Sequence, residues 1–391
     1  MDRRTLLTLG GLGLLGTGLG ACSTRPAPTR PAPARPAAAL RLAPVRAAWD
    51  RIIRTTVGLR PHRASGFVLR ADRLDDTTVI HNYGHGGAGM SLSWGTGRMA
   101  AEMALGHDGR RAAVVGCGAV GLAAARQLQR RGFAVTIYAA AVPPDTTSNM
   151  SFAGFTPTAG LIDDELRTPA WDAQFREAAE IAYRELQQLV GKGFGVSWID
   201  RYGLRDTHPD AAGGDSGEED EEPLLPARLR TGRVALGPGE HPFGSRYAIR
   251  RNHLRIEPSI YLDALVRDFI DFGGRIEIRR FSEPRELAAL GEPLVVNCTG
   301  LGAGELFGDR DLLPLKGQLT VLLPQDEVDY GISGELPEAP PGVLGIHMQP
   351  RRDGIALGGT SERGVWSLEP NREAMQLLVS AHMAVYSAMR A

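Results

Sequence analysis

The chain has 391 residues, long enough for about two domains around a large core. With 43 % hydrophobic and 23 % charged residues and a formal net charge of −1, it reads as a globular protein with no sign of a nucleic-acid partner. Three cysteines exclude a disulfide framework, and a Cys117–Cys298 bond is not expected.

The first element is an export signal over residues 1–22. Arg3 and Arg4 precede an apolar, glycine-rich stretch too short to span a bilayer comfortably, which reads as a twin-arginine signal. Leu19-Gly20-Ala21-Cys22 resembles a bacterial lipobox, so Cys22 is expected to carry a lipid and become the mature N-terminus. Residues 23–41 repeat Arg, Pro and Ala without apolar periodicity and read as a disordered tether. The expected location is therefore outside the cytoplasm, with membrane contact through the N-terminal anchor only.

Residues 46–55 read as a helix and 58–61 as a turn or strand entry. Short strands follow at 67–69 and 77–80, then a glycine-rich loop at 84–89 and a helix over 97–105. The apolar strand 112–115 leads into Gly116-Cys117-Gly118-Ala119-Val120-Gly121, a helix over 120–131 and a strand over 133–138. This strand, glycine turn, helix and strand together cradle a pyrophosphate. The glycines permit close backbone approach, and the helix N-terminus supplies N–H donors. A long helix is expected over 165–190, and the acid-rich run 211–222 reads as a solvated insertion. Further helices are expected at 261–272 and 371–389, with strands at 275–281, 294–297, 318–323, 343–348 and 354–357.

Two motifs stand in an unusual order. Val79-Ile80-His81-Asn82-Tyr83-Gly84-His85-Gly86-Gly87 resembles the flavin loop that closes proteins of the D-amino-acid oxidase family, yet here it precedes the fingerprint that opens them. The resemblance covers nearly everything from residue 42 to 389, weakly between 160 and 255. It implies a circularly permuted α/β fold with an FAD-binding, Rossmann-like domain and a substrate domain built on a mixed or antiparallel sheet. The FAD-binding domain is expected over 42–165, the moved segment 42–106 being joined to the fingerprint segment 111–165. It continues over 258–305. The substrate domain is expected over 166–257 and 306–358, and 359–391 is a closing helical segment.

The resemblance implies FAD contacts at Gly116, Gly118, Ala119, Val120 and Gly121, at Thr146, Thr147 and Ser148, and at Arg280 and Phe281. It adds Cys298, Thr299 and Gly300, and the ring-holding loop Gly87, Ala88, Gly89, Met90 and Ser91, whose N–H groups are expected to face the flavin. The family's acid for the adenosine ribose is absent, Ala140 and Ala141 standing where it and a base would be, with Asp145 as a neighbouring substitute. Arg60 matches the arginine that grips the substrate carboxylate, a task that suits a forked guanidinium. His347 and Val343 stand where the family has tyrosines, and His347 is a candidate donor to substrate. Tyr261 reads as structural, and His81, Asn82 and His85 as loop-shaping hydrogen bonders. Two histidines make an incomplete metal set, so no metal is expected.

The implied reaction is oxidative deamination of a D-amino acid, with hydride passing from Cα to FAD and oxygen as acceptor. A glycine or N-methyl amino-acid oxidase, a dehydrogenase of the same family and a flavin-binding lipoprotein without turnover remain alternatives. An NAD dehydrogenase fits less well, because the threonine and histidine-glycine motifs suit a flavin.

Overall fold

A computed structural model describes residues 40–152, 154–209 and 224–390. Arg3, Arg4, Cys22, nearly all of the tether and the acid-rich run 211–222 lie outside the described residues. In chain order the strands are β1 (Ile52–Arg63), β2 (Val68–Leu74), β3 (Thr77–Tyr83), β4 (Arg111–Val115), β5 (Ala134–Ala139), β6 (Val196–Arg205), β7 (Arg233–Leu236), β8 (Tyr247–Ile256), β9 (Arg275–Ile278), β10 (Leu294–Asn297), β11 (Leu312–Leu322), β12 (Tyr330–Gly334), β13 (Val343–Arg351), β14 (Gly354–Thr360) and β15 (Glu362–Arg363). The helices are α1 (Gly89–Ala104), α2 (Ala119–Gln129), α3 (Pro169–Gln188), α4 (Pro258–Asp271), α5 (Pro284–Ala288), α6 (Gly302–Phe307) and α7 (Arg372–Ser387).

The six-stranded sheet runs β2-β3-β10-β4-β5-β9. From β3 to β9 every neighbour is parallel, and β2 closes one edge antiparallel. Its central strands β4 and β10 are apolar throughout the core because both faces are covered. Helices α1, α2 and α3 pack together on one side, which requires small residues. A Cβ on Gly95 would stand 1.9 Å from the Ala178 carbonyl oxygen, and one on Gly97 2.9 Å from the Ala124 nitrogen. Gly95 and Gly97 hide the first half of α1 in the sequence, so it begins at Gly89 rather than at 97 as expected. They lower helix propensity locally, but the close helix contacts they permit outweigh that cost. Helix α3 shares this core through Phe175, Ala178 and Ala182, although the sequence pointed to the substrate domain.

The larger sheet has nine strands in the order β1-β11-β14-β13-β12-β6-β8-β7, with β15 added to β11. It is mixed, β12 lying parallel to β6 while the other pairs are antiparallel. Strand β1 overturns the helix expected over 46–55. Only Trp49–Arg51 makes a short 3-10 turn, and from Ile52 the chain pairs with β11 down to Arg63. Ala47, Ala48 and the arginines favour helix locally, but Ile52, Ile53, Thr55, Thr56 and Val57 are β-branched and gain a long-range partner. The segment 52–63 therefore belongs to this sheet rather than to the six-stranded one. Helix α7 covers a face of β13 and β14, burying Val379 and Tyr386 with Met348, Ile355 and Leu357. No described helix is long and apolar enough to cross a membrane.

Candidate active site

A cleft of about 640 Å³ lies at the carboxyl ends of the five parallel strands. Asn82 and Tyr83 at the end of β3, Gly116 after β4, Ala140 after β5, Arg279 after β9 and Cys298 after β10 all open onto it. Ligands of open parallel sheets bind in this position, where strand ends and helix N-termini converge.

The fingerprint turn is shaped by steric need. Gly116 has φ +115°, and a Cβ there would stand 2.4 Å from the Cys298 carbonyl oxygen. A Cβ on Gly121 would stand 2.0 Å from the Gly116 carbonyl oxygen. Both glycines thus seat α2 directly against the end of β4. Gly118, Ala119 and Val120 face the cleft beside them. Ser148 reaches the same helix end, its Oγ accepting from the Ala119 N–H at 3.0 Å, and Thr146 and Thr147 line the adjoining wall. Arg280 and Phe281 lie across from them, with the Arg279 guanidinium stacked 4.7 Å over the Phe281 ring. Ala140, Ala141 and Asp145 also line this end.

The turn after β10 is held from the upstream segment. Asn297 Oδ1 accepts from Thr299 Oγ1 at 2.8 Å and from the Thr299 N–H at 3.2 Å. Asn297 Nδ2 meets His81 Nδ1 at 3.1 Å, tying β10 to β3. Cys298, Thr299 and Gly300 are thereby fixed at the cleft mouth. Burial pushes the Cys117 thiol up to about 12 and the Cys298 thiol higher, so both are inert thiols; both are free.

The histidine-glycine loop is wedged under the segment 159–160. A Cβ on Gly86 would stand 1.7 Å from the Gly160 carbonyl oxygen. The Gly87 N–H donates to the Ala159 carbonyl at 2.9 Å and that of Ala88 to the His85 carbonyl, so these two donors are not free for a ligand as expected. Ala88 is fully buried in the core, and the Ser91 hydroxyl turns away to Gly154 and Thr156. The cleft meets this loop at Gly87, Gly89 and Met90, where α1 begins without a side-chain cap. His85 meets Thr96 Oγ1 at 3.1 Å, and burial holds it down at about 3. Asn82 departs from the loop-shaping expectation, since both its amide atoms are buried without a partner. Tyr261 is fully buried in the core. No group of three or more potential metal ligands occurs among the described residues.

Arg60 enters the cleft from β1, next to the flavin-type loop. Its Nη1 donates to the Thr360 carbonyl at 3.2 Å, and no acid pairs with it among the described residues. A Cβ on Gly317 would stand 2.3 Å from its Nη2, so that glycine makes room for the guanidinium. Burial lowers its pKa, and no counter-ion stands beside it among the described residues. His347 lines the cleft from β13 with its Nδ1 unpartnered and its ring edge-on to Phe152. Burial, helped by the charge of Arg201, brings it down to about 4, so it is neutral at neutral pH. Val343 lies in β13 but does not reach the cleft. Sequence reasoning missed Arg201, which lines the cleft from β6.

The arrangement suits a dinucleotide-type cofactor over the strand ends and a small anionic substrate beside Arg60. A family model described as FAD dependent oxidoreductase matches residues 8–103 and 111–390. The chain is 30 % identical over 281 residues to a D-amino-acid oxidase of Rubrobacter xylanophilus, covering 72 % of this chain and 78 % of that one. It is 28 % identical over 262 residues to a D-amino-acid oxidase of Dictyostelium discoideum, covering 66 % and 68 %. Among solved structures, the L-proline dehydrogenase from P. horikoshii is similar in fold, with TM-score 0.51 and 15 % identity over 71 % of this chain and 77 % of that one.

Proposed function

The chain belongs to the family of FAD-dependent oxidoreductases, and on that premise we propose that this amino-acid oxidoreductase acts on D-amino acids with oxygen as acceptor. Its cofactor is FAD. The observation that carries the substrate reading is the Arg60 guanidinium, sheltered in the cleft with one backbone carbonyl as its partner.

The chain's own residues divide the work. The close seat of α2 at Gly116 and Gly121 lets the pyrophosphate approach backbone N–H groups, with Ser148, Thr146 and Thr147 beside it. Arg280, Phe281 and Asp145, which line one end of the cleft, would hold the adenosine, and the start of α1 at Gly89 and Met90 would meet the flavin ring. When bound, FAD would supply the electron sink for oxidation at the substrate Cα, with oxygen as the final acceptor. Arg60 grips the substrate carboxylate with two parallel N–H···O bonds and so fixes the direction of the Cα–H. Neutral His347 donates a weaker bond to the substrate from β13. The substrate amine is neutral when its lone pair forms the imine, and water then releases keto acid and ammonia.

We also propose that the chain is a circular permutant of its family. The family match parts at 104–110, the turn between α1 and β4. The upstream strand β3 pairs with β10, and β10 with β4, so both segments build one sheet. Export by the twin-arginine route and anchoring through Cys22 complete the reading, supported by the N-terminal motif.

The test is an anaerobic titration of the purified holoprotein with D-alanine, D-aspartate, glycine and sarcosine, followed by flavin absorbance. Bleaching by the D-amino acids, and peroxide on readmission of air, is expected. Bleaching by glycine and sarcosine alone would move the assignment to those substrates, and bleaching without peroxide would make the protein a dehydrogenase.

A further inference from the structure

A second cation, Arg201, stands in the same cleft. Arg201 projects from β6, separated from the strand of Arg60 by β11, β14, β13 and β12. No acid pairs with it among the described residues, and its buried Nε has no hydrogen-bond partner. An uncompensated guanidinium in a sheltered site costs stability unless an anion joins it.

Two further unfilled polar groups surround it. Gln349 on β13 is fully buried, and neither atom of its amide has a partner. A Cβ on Gly331 would stand 2.8 Å from Gln349 Oε1 and 3.7 Å from Arg201 Cγ. The missing side chain at Gly331 is therefore what lets these two groups come together across β12. His347, also on β13, adds its unpartnered Nδ1 at the cleft wall. Burial and the Arg201 charge hold His347 at about 4 and His253, on β8, at about 3. Both imidazoles are then neutral at neutral pH, and the positive charge of this recess belongs to Arg201. A guanidinium, an amide N–H and a neutral imidazole form a donor set for a planar anion with two oxygens.

We propose that Arg201, backed by Gln349 and His347, is a second anion subsite that receives a carboxylate on the substrate side chain, so that acidic amino acids are the preferred substrates. This rests on Arg60 taking the α-carboxylate, as proposed above. The two guanidinium groups then hold the two ends of one dicarboxylic molecule.

The experiment compares each acid with its neutral isostere. D-Aspartate against D-asparagine, and D-glutamate against D-glutamine, are titrated anaerobically into the holoprotein, and the concentration for half-reduction of the flavin is read. At least one acid should be favoured over its amide by tenfold or more. In Arg201→Gln that ratio should fall to near one, and in Arg201→Lys it should be partly kept. Melting temperatures give an independent reading. Succinate should raise the melting temperature of the parent more than propionate at equal concentration, and Arg201→Gln should abolish the difference. Equal half-reduction concentrations for acids and amides in the parent, or a preference that survives Arg201→Gln, would overturn the proposal. If none of the four amino acids reduces the flavin, the amino-acid reading fails separately. The melting comparison then decides the subsite, and equal shifts by succinate and propionate would reject it.

Discussion

Ala43 and Met389, from opposite ends of the described chain, meet at one hydroxyl. Tyr330 Oη donates to the Ala43 carbonyl at 2.8 Å and lies 3.8 Å from Met389 Sδ. Leu42, Ala43 and Met389 pack on one core. If the chain is a permutant, these are the ends that were once joined. A variant that starts at residue 111, passes from 391 through a short Gly/Ser linker to 42 and stops at 106 should fold and bind FAD. The 104–110 turn is largely exposed, so its melting temperature should lie within a few degrees of the parent. An insoluble or flavin-free product with every linker length would speak against permutation.

Arg60→Ala should retain FAD and its melting temperature, because the side chain makes a single hydrogen bond among the described residues. Loss of a sheltered, charge-assisted carboxylate contact costs about 2–5 kcal/mol, roughly 30-fold to several thousand-fold in substrate binding. His347→Ala removes a bond from a neutral ring, worth about 1 kcal/mol. Stopped-flow flavin reduction across substrate concentrations measures both. Parent-like behaviour in Arg60→Ala would remove Arg60 as the carboxylate anchor.

Gly121→Ala should separate α2 from β4, since the new Cβ would meet the Gly116 carbonyl oxygen at 2.0 Å. Overpacking of this kind costs about 1–3 kcal/mol, and FAD affinity should fall by about tenfold or more. Gly232→Ala is the control, because a Cβ there meets nothing within 4 Å. Flavin fluorescence on dilution reports the dissociation of each.

How much of this was legible in the sequence follows from where the constraint lies. The fingerprint and the loop at 84–89 were readable because glycine spacing records backbone needs locally. The finer use of that loop was not, because the partners of its N–H groups, Ala159 and His85, are fixed only by tertiary folding. Strand β1 misled because its helix-favouring start is overruled by β11, far along the chain. Strands β6 and β8 escaped notice for a different reason. The positions of β6 and β8 include Arg201, which faces the cleft, and His253 on the neighbouring strand, so the apolar alternation that marks a strand is broken near the site.

Acid should destabilise the protein through its buried histidines. Burial holds His85 and His253 at about 3 and His347 and His382 at about 4, against an ordinary 6.5. Below pH 6.5 the unfolded chain therefore binds more protons than the folded one. The stability these neutral rings contribute is fully present above that pH and is lost as pH falls toward 4 and then 3. Each adds a slope of up to about 1.4 kcal/mol per pH unit. Melting temperature should be level from pH 8 to 7 and decline progressively below 6.5, with a shallower decline in His85→Asn. A level curve down to pH 5 would refute this.

Replacing Arg3 and Arg4 with lysines should block export, and Cys22→Ala should release the protein from membranes while FAD stays bound. Cell fractionation checks both. A membrane-bound Cys22→Ala protein would contradict the anchor.

The pairing of β1 with β11 and of β3 with β10 also sets a timetable for synthesis. Strands β1 and β3 leave the ribosome early, but Ile52 waits for Leu322, and Val79, already paired with Asp72 of β2, waits for Val295 on its other side. High contact order of this kind delays the formation of a core. A nascent chain stopped short of β10 leaves the upstream edge of both sheets open and exposed to aggregation. The leading strand β1 thus finds its partner only once the chain has been made as far as Leu322.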